Sequence, residues 1–267
     1  MKYNVILKKE LIRFSKQYGK SNFGDNYAHP NENRSSSIIF NKVSYSFERN
    51  SWESIQLKTS YFTRTLKKHP KSVTKNVFEM QSSNSSDALA MNIFCHPEFK
   101  KWIGIKNLFQ LNSIENIEFG FKAKVLKNIN NQNVEDDTEI DVLLNDSIFI
   151  ECKLTEENFC SKTKKIVEQY VGFEQVFHID KLCQTENEYE NYQLIRNILA
   201  ANQYKGKFIL ICDMRRPDLT RHFYQTLRCI KDDYLELRTN CEIIYWQDLA
   251  QVVGVKLKEF LNEKYGL

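Results

Sequence analysis

The sequence of 267 residues predicts an α/β protein with a mixed central sheet flanked by helices and an N-terminal elaboration. Three observations predict it. Residues 138–156, TEIDVLLNDSIFIECKLTE, alternate apolar and polar side chains on both sides of Asn145-Asp146-Ser147, the period-two pattern of two paired strands around a turn. Phe208–Cys212, FILIC, is apolar throughout, as a central strand buried on both faces would be. The segments around these strands have helical spacing and helix-start signals.

In order, residues 3–18 have the pattern of an amphipathic helix, and Ser21–Ser37, rich in Asn and Ser, that of a loop. A strand is expected around Ile38–Ser46 and a helix over Trp52–Lys68. The polar run QSSNSS at 81–86 marks the boundary between a basic extension, 1–84, and a core, 85–267, and it ends in a cap for a helix over Asp87–Phe94. A helix over Glu98–Phe109 and a strand over Ile114–Leu126 lead into the hairpin. Helices over Ser161–Phe177 and Glu186–Ala201 precede the strand Phe208–Asp213. Pro217 opens a helix to about Lys231, Glu242–Tyr245 is a short strand, and the tail from Trp246 is helical.

The hairpin register follows from the side chains. A three-residue loop pairs Leu144 with Ile148, Val142 with Ile150 and Ile140 with Cys152, making one face wholly apolar. The other face then aligns Leu143 with Phe149, Asp141 with Glu151 and Glu139 with Lys153. A two-residue turn pairs Ile140 with Glu151 and mixes charged with buried positions, so it is rejected. Opposed carboxylates repel unless one is protonated or a cation lies between them, and a divalent cation resolves the conflict at Asp141 and Glu151.

An Asp followed by Glu-x-Lys on the neighbouring strand resembles the PD-(D/E)XK nuclease superfamily, here at Asp141, Glu151 and Lys153. The proline of that name is replaced by Ile140, which is harmless because the proline is not a ligand. The order helix, strand, hairpin, helices, strand is similar to the superfamily's αβββαβ core. The likeness extends to bacterial restriction-endonuclease-like proteins through Ser85–Phe94, Tyr192–Asn197 and Tyr245–Leu249, and covers roughly 85–250.

The resemblance implies Mg²⁺, with Mn²⁺ as a substitute, held by Asp141, Glu151 and the Cys152 backbone carbonyl while Lys153 orients water or stabilises developing charge. Glu118 is the candidate third acid, and Glu156 a weaker one. Glu-x-Lys alone says little: Glu98-Phe99-Lys100 repeats it with no hairpin and no partnering Asp. A structural ion pair between Glu139 and Lys153 explains part of the pattern; opposed carboxylates beside a lysine and a clean apolar face favour a metal site.

Net charge is +4 but uneven: residues 1–110 carry 18 Lys and Arg against 8 Asp and Glu, and the remainder 20 against 26. The basic half is the phosphate-facing candidate. Within it Arg64, Lys67, Lys68, Lys71 and Lys75 form a run able to track a nucleic-acid backbone, the alternative being an ordinary solvated surface. On the helix from Glu186, Gln193, Arg196 and Asn197 share one face and are candidates for phosphate contact or for capping a neighbouring element. Arg215 and Arg216, after the buried strand, are of a kind commonly just solvated.

Seven dispersed cysteines without metal-ligand spacing favour reduced thiols, and five scattered histidines give little support to His-based catalysis. No run of about 18 apolar residues is present and the start lacks signal-peptide character, so a cytoplasmic protein without membrane association is expected. Together these readings predict a Mg²⁺-dependent deoxyribonuclease, an endonuclease of restriction or phage-defence type. The alternative is a nucleic-acid-binding module that keeps the fold and does no cleavage. Cutting both strands of a duplex calls by analogy for two sites, hence a homodimer.

Overall fold

The computed structural model describes residues 2–30, 37–69 and 76–267. The first helices are α1 (Tyr3–Phe23), α2 (Arg49–Leu57), α3 (Thr59–Thr65), α4 (Ser86–Phe94) and α5 (Ile103–Leu108). Strands β1 (Ile117–Lys122), β2 (Val125–Ile129), β3 (Gln132–Asp136), β4 (Glu139–Leu144) and β5 (Ile148–Cys152) follow. Then come β6 (Lys162–Thr163), α6 (Lys164–Val167), α7 (Phe173–Val176), β7 (Glu188–Tyr189), α8 (Tyr192–Tyr204) and β8 (Lys207–Cys212). The chain closes with α9 (Pro217–Leu227), α10 (Leu235–Thr239), β9 (Cys241–Tyr245), α11 (Trp246–Val252) and α12 (Val255–Tyr265).

Two compact units result. One comprises Met1–Ile114, Asp213–Arg215 and Tyr245–Leu267; the other comprises Glu115–Cys212 and Arg216–Ile244. Residues 1–84 thus fall wholly in the first unit, together with 85–114 and the last two helices.

The first unit is helical. The apolar face of α1, with Leu7, Leu11 and Tyr18 buried, packs on α12, where the Tyr18 and Phe260 rings meet edge to face at 5.5 Å. Its core encloses Lys264, which is fully buried. The Lys264 ammonium donates to the Ser46 carbonyl at 3.1 Å and to the Tyr265 hydroxyl at 2.5 Å and lies over the rings of Phe40 and Phe260. Burial without a carboxylate partner holds its pKa well below the ordinary lysine value.

The second unit is built on a five-stranded sheet in the order β1-β4-β5-β8-β9. β1, β4 and β5 are antiparallel neighbours, whereas β5 and β8 run parallel, so the sheet is mixed, as the sequence predicts. The hairpin register agrees where the ladder is formed: Leu144 faces Ile148, Leu143 faces Phe149 and Val142 faces Ile150. Asn145 and Asp146 take the left-handed φ values of 49° and 57° that the three-residue loop needs, a conformation these residue types tolerate. The Asn145 side chain also accepts from the Glu115 amide at 2.7 Å, tying the loop to the entry of β1. Gly206 is required at the start of β8, because a Cβ there would stand 2.2 Å from the Ser147 carbonyl oxygen.

Several elements differ from expectation. The strand expected over 114–126 ends at Lys122: Lys124 has φ 48°, and the chain turns into a separate two-stranded ribbon, β2 with β3. The helix expected over 161–177 is two single turns, separated near Gly172 at φ 87°. The helix expected from Glu186 begins at Tyr192, since Asn191 at φ 56° breaks the chain after β7. Trp52–Lys68 divides at the extended residue Lys58, and Ile38–Ser46 forms isolated bridges and a 3-10 turn instead of a strand.

Candidate active site

The hairpin ladder stops at Val142 and Ile150, one residue short of the two acids. Past that point the Asp141 carboxylate replaces a backbone acceptor: its Oδ2 takes the hydrogen bond of the Cys152 amide at 2.7 Å. On the other side of Asp141, the pairing of Phe119 with Val142 and of Phe121 with Ile140 sets Gly120 opposite it, at φ 64° and with no side chain. Asp141 therefore sits beside β5 on one flank and beside bare backbone on the other.

Glu151 points to the sheet face opposite Ile150 and Cys152, where α8 covers it. There Asn197 donates to Oε2 at 2.9 Å and Gln193 donates to Oε1 at 3.1 Å. Lys153, just beyond the strand, places its ammonium 2.8 Å from Oε1, and both side chains of the pair are buried. Burial opposes the Lys153 charge, but Glu151, Glu156 and Asp141 outweigh it and raise the pKa above the ordinary lysine value. The site thus presents a permanently charged ammonium beside two carboxylates.

The loop after Lys153 is held from below. Arg216, fully buried, donates to the carbonyls of Leu154, Glu156 and Glu157 at 3.2, 2.8 and 3.3 Å. Its guanidinium is anchored by Asp218 at 2.8 Å. Glu156 turns back on the same loop and accepts from the Leu154 amide at 2.6 Å.

A hard divalent cation fits this donor set. Two carboxylates from adjacent strands supply oxygen ligands, the number with which magnesium is commonly held. The side-chain oxygens of Gln193 and Asn197 are buried without a hydrogen-bond partner, so oxygen-donor capacity beside Glu151 is unspent. The Cys152 carbonyl belongs to the residue whose amide binds Asp141.

Asp141, Glu151 and Lys153 gather at the end of the ladder, Asp141 through the Cys152 amide and Lys153 through Glu151. Glu118 does not join them: it faces Leu143 on β1 and is exposed, and among the described residues no three His, Cys, Asp or Glu side chains form a metal-binding group. Gln193 and Arg196, read as contacting phosphate or capping a neighbouring element, are both directed inward. Gln193 holds Glu151, and Arg196, buried, donates to the Glu139 carbonyl at 2.9 Å.

The basic run is paired in part. Arg64 is paired with Asp87 at 3.0 Å and Lys67 with Glu79 at 3.3 Å, whereas Lys68 is exposed. Lys71 and Lys75 lie outside the described residues. Arg216, on the loop after β8, is a buried clamp and not a solvated residue.

Among the described residues no helix is long and apolar enough to cross a membrane. A family model described as Restriction Endonuclease associating with ARP matches residues 20–266. No curated protein and no solved structure matches the chain.

Proposed function

The chain belongs to that restriction-endonuclease family, and from this premise we propose that it is a metal-dependent DNA endonuclease of the PD-(D/E)XK type, acting in restriction or phage defence. The observation that carries the reading is the convergence of Asp141, Glu151 and Lys153 at the open end of the β4–β5 ladder. In it Asp141, Glu151 and the Cys152 carbonyl would hold Mg²⁺ or Mn²⁺. A bound Mg²⁺ supplies an activated water and neutralises charge on the phosphoryl oxygens.

The chain's own residues do the rest. Glu151 is held in one orientation by Asn197 and Gln193, so its carboxylate is preorganised and costs no reordering when ligand arrives. Lys153, whose charge is favoured by Glu151, Glu156 and Asp141, suits an electrostatic role at the scissile phosphate or the attacking water.

Supercoiled plasmid incubated with wild type, Lys153→Ala and Glu151→Gln, with and without Mg²⁺ or Mn²⁺, tests the proposal. Metal-dependent nicking by the wild type, lost in both variants while circular dichroism shows them folded, is the expected result. Intact plasmid with bound protein would sink it.

A second reading is a nucleic-acid-binding module without cleavage. It is favoured by Glu151 being matched by three protein donors. Titration calorimetry with Mg²⁺ and Mn²⁺ separates the two, since a pure binder needs no divalent ion.

A further inference from the structure

The outer face of α1 carries Lys9, Arg13, Lys16 and Lys20, all exposed. At 100° per residue these positions fall within an arc of about 60° and span about 16 Å of helix. The opposite face is the one that anchors the helix, with Asn4, Leu7, Leu11, Ser15 and Tyr18 buried. Glu10, the single acid of α1, lies off the stripe and is neutralised by Arg215 at 3.1 Å. Arg13 lies over the Phe14 ring at 5.1 Å, and among the described residues no carboxylate pairs with Lys9, Lys16 or Lys20. The four cations lie in line with no carboxylate partner for three of them among the described residues, and the helix that carries them is fixed by its apolar side.

We infer that this stripe is a docking surface for the phosphate backbone of duplex DNA, a surface that takes the place of the paired Arg64 and Lys67 run. The inference rests on the proposed DNA substrate and adds where the backbone is gripped. Charge fits: the stripe is wholly cationic, and duplex DNA carries one negative charge per about 1.7 Å of helix axis. An anionic membrane is the less favoured occupant. A helix lying in a lipid surface buries its apolar face there, whereas that face of α1 is used against α12, and the exposed apolar residues Tyr3, Val5 and Ile6 are confined to the first turn.

The test is a duplex-binding titration of the full chain at several salt concentrations, in EDTA to prevent cleavage, using a short fluorescent duplex. Wild type is compared with a variant carrying Lys9→Gln, Arg13→Gln, Lys16→Gln and Lys20→Gln; glutamine preserves helix propensity at exposed sites. Loss of four phosphate contacts makes the slope of log K against log salt shallower by about 3 to 4. A folded variant with the wild-type slope and affinity overturns the stripe and leaves the nuclease reading intact. A wild type that binds no duplex overturns both. Cosedimentation with phosphatidylserine vesicles that is lost in the variant, without a change in duplex binding, assigns the surface to lipid and overturns the inference.

Discussion

Lys153 Nζ stands 2.8 Å from Glu151 Oε1, a buried ion pair between two residues that leave the same face of one strand. A buried pair of this kind is poor evidence of stability by itself, because desolvating both charges offsets most of their attraction. Here Asn197 and Gln193 also donate to Glu151, so the arrangement is a polar network at the end of the central strand of a hydrophobic sheet.

If the network binds a divalent cation, the cation stabilises the fold. Ligand present at about 100 times its dissociation constant raises unfolding free energy by about 2.7 kcal/mol. Thermal unfolding of the wild type should therefore shift upward with Mg²⁺ and more so with Mn²⁺, and the shift should vanish in Asp141→Asn. Identical melting curves with metal and with EDTA would refute metal binding at this site.

The Asn197 amide is the donor that fixes Glu151 Oε2. Asn197→Leu keeps the side-chain volume and removes the donor, leaving a buried carboxylate oxygen unmatched at a cost of about 1–3 kcal/mol. Metal affinity should fall by about 10- to 100-fold, the usual effect of losing a group that orients a ligand. Urea unfolding and calorimetry measure the two, and a variant unchanged in both would show that Asn197 does not position Glu151.

The hairpin was legible because its alternation admits one register. Leu143, Phe149 and the apolar face opposite them fix it, and a slip by one residue would bury Asp141 or Glu151 among them. The partners of Glu151 were half legible: sequence spacing sets Gln193, Arg196 and Asn197 on one helix face but says nothing of what that face meets. The partners of Arg64 and Lys67 were hidden for the same reason, since Asp87 and Glu79 are distant in sequence. The interruptions at Lys124, Gly172 and Asn191 are left-handed residues; Gly and Asn permit that conformation without requiring it, and Lys124 gives no sign of it.

Arg216 ties the carbonyl groups of Leu154, Glu156 and Glu157 to Asp218. The planar fork of a guanidinium reaches several acceptors at once, and an ammonium does not. Arg216→Lys should therefore fail to rescue the loss seen in Arg216→Ala, which is about 3–5 kcal/mol because Asp218 is left without its partner and three carbonyls lose their donor. Chemical denaturation of the two variants checks this. A lysine variant as stable as wild type would mean that charge alone matters.

Lys264 provides a pH signature. Its pKa in the folded protein lies below the unfolded value, so the unfolded chain binds the extra proton in the range between them, and stability rises with pH there. The sign is that of a depressed group: its contribution is fully present above the unfolded pKa, near 10.4 on average, and is lost as pH falls through the folded one. Within the window the slope from this single group reaches about 1.4 kcal/mol per pH unit. Lys264→Met keeps an unbranched chain among Phe40, Phe260 and Tyr265 and removes the titration, while the Ser46 carbonyl loses a donor. Urea unfolding carried past the unfolded lysine pKa, to about pH 11, should show wild-type stability climbing relative to the variant, with the gain ending once lysine is neutral in both states. Parallel curves for the two proteins would mean that the folded chain carries Lys264 charged, and that its aromatic surroundings and the Ser46 carbonyl compensate the buried ammonium in full.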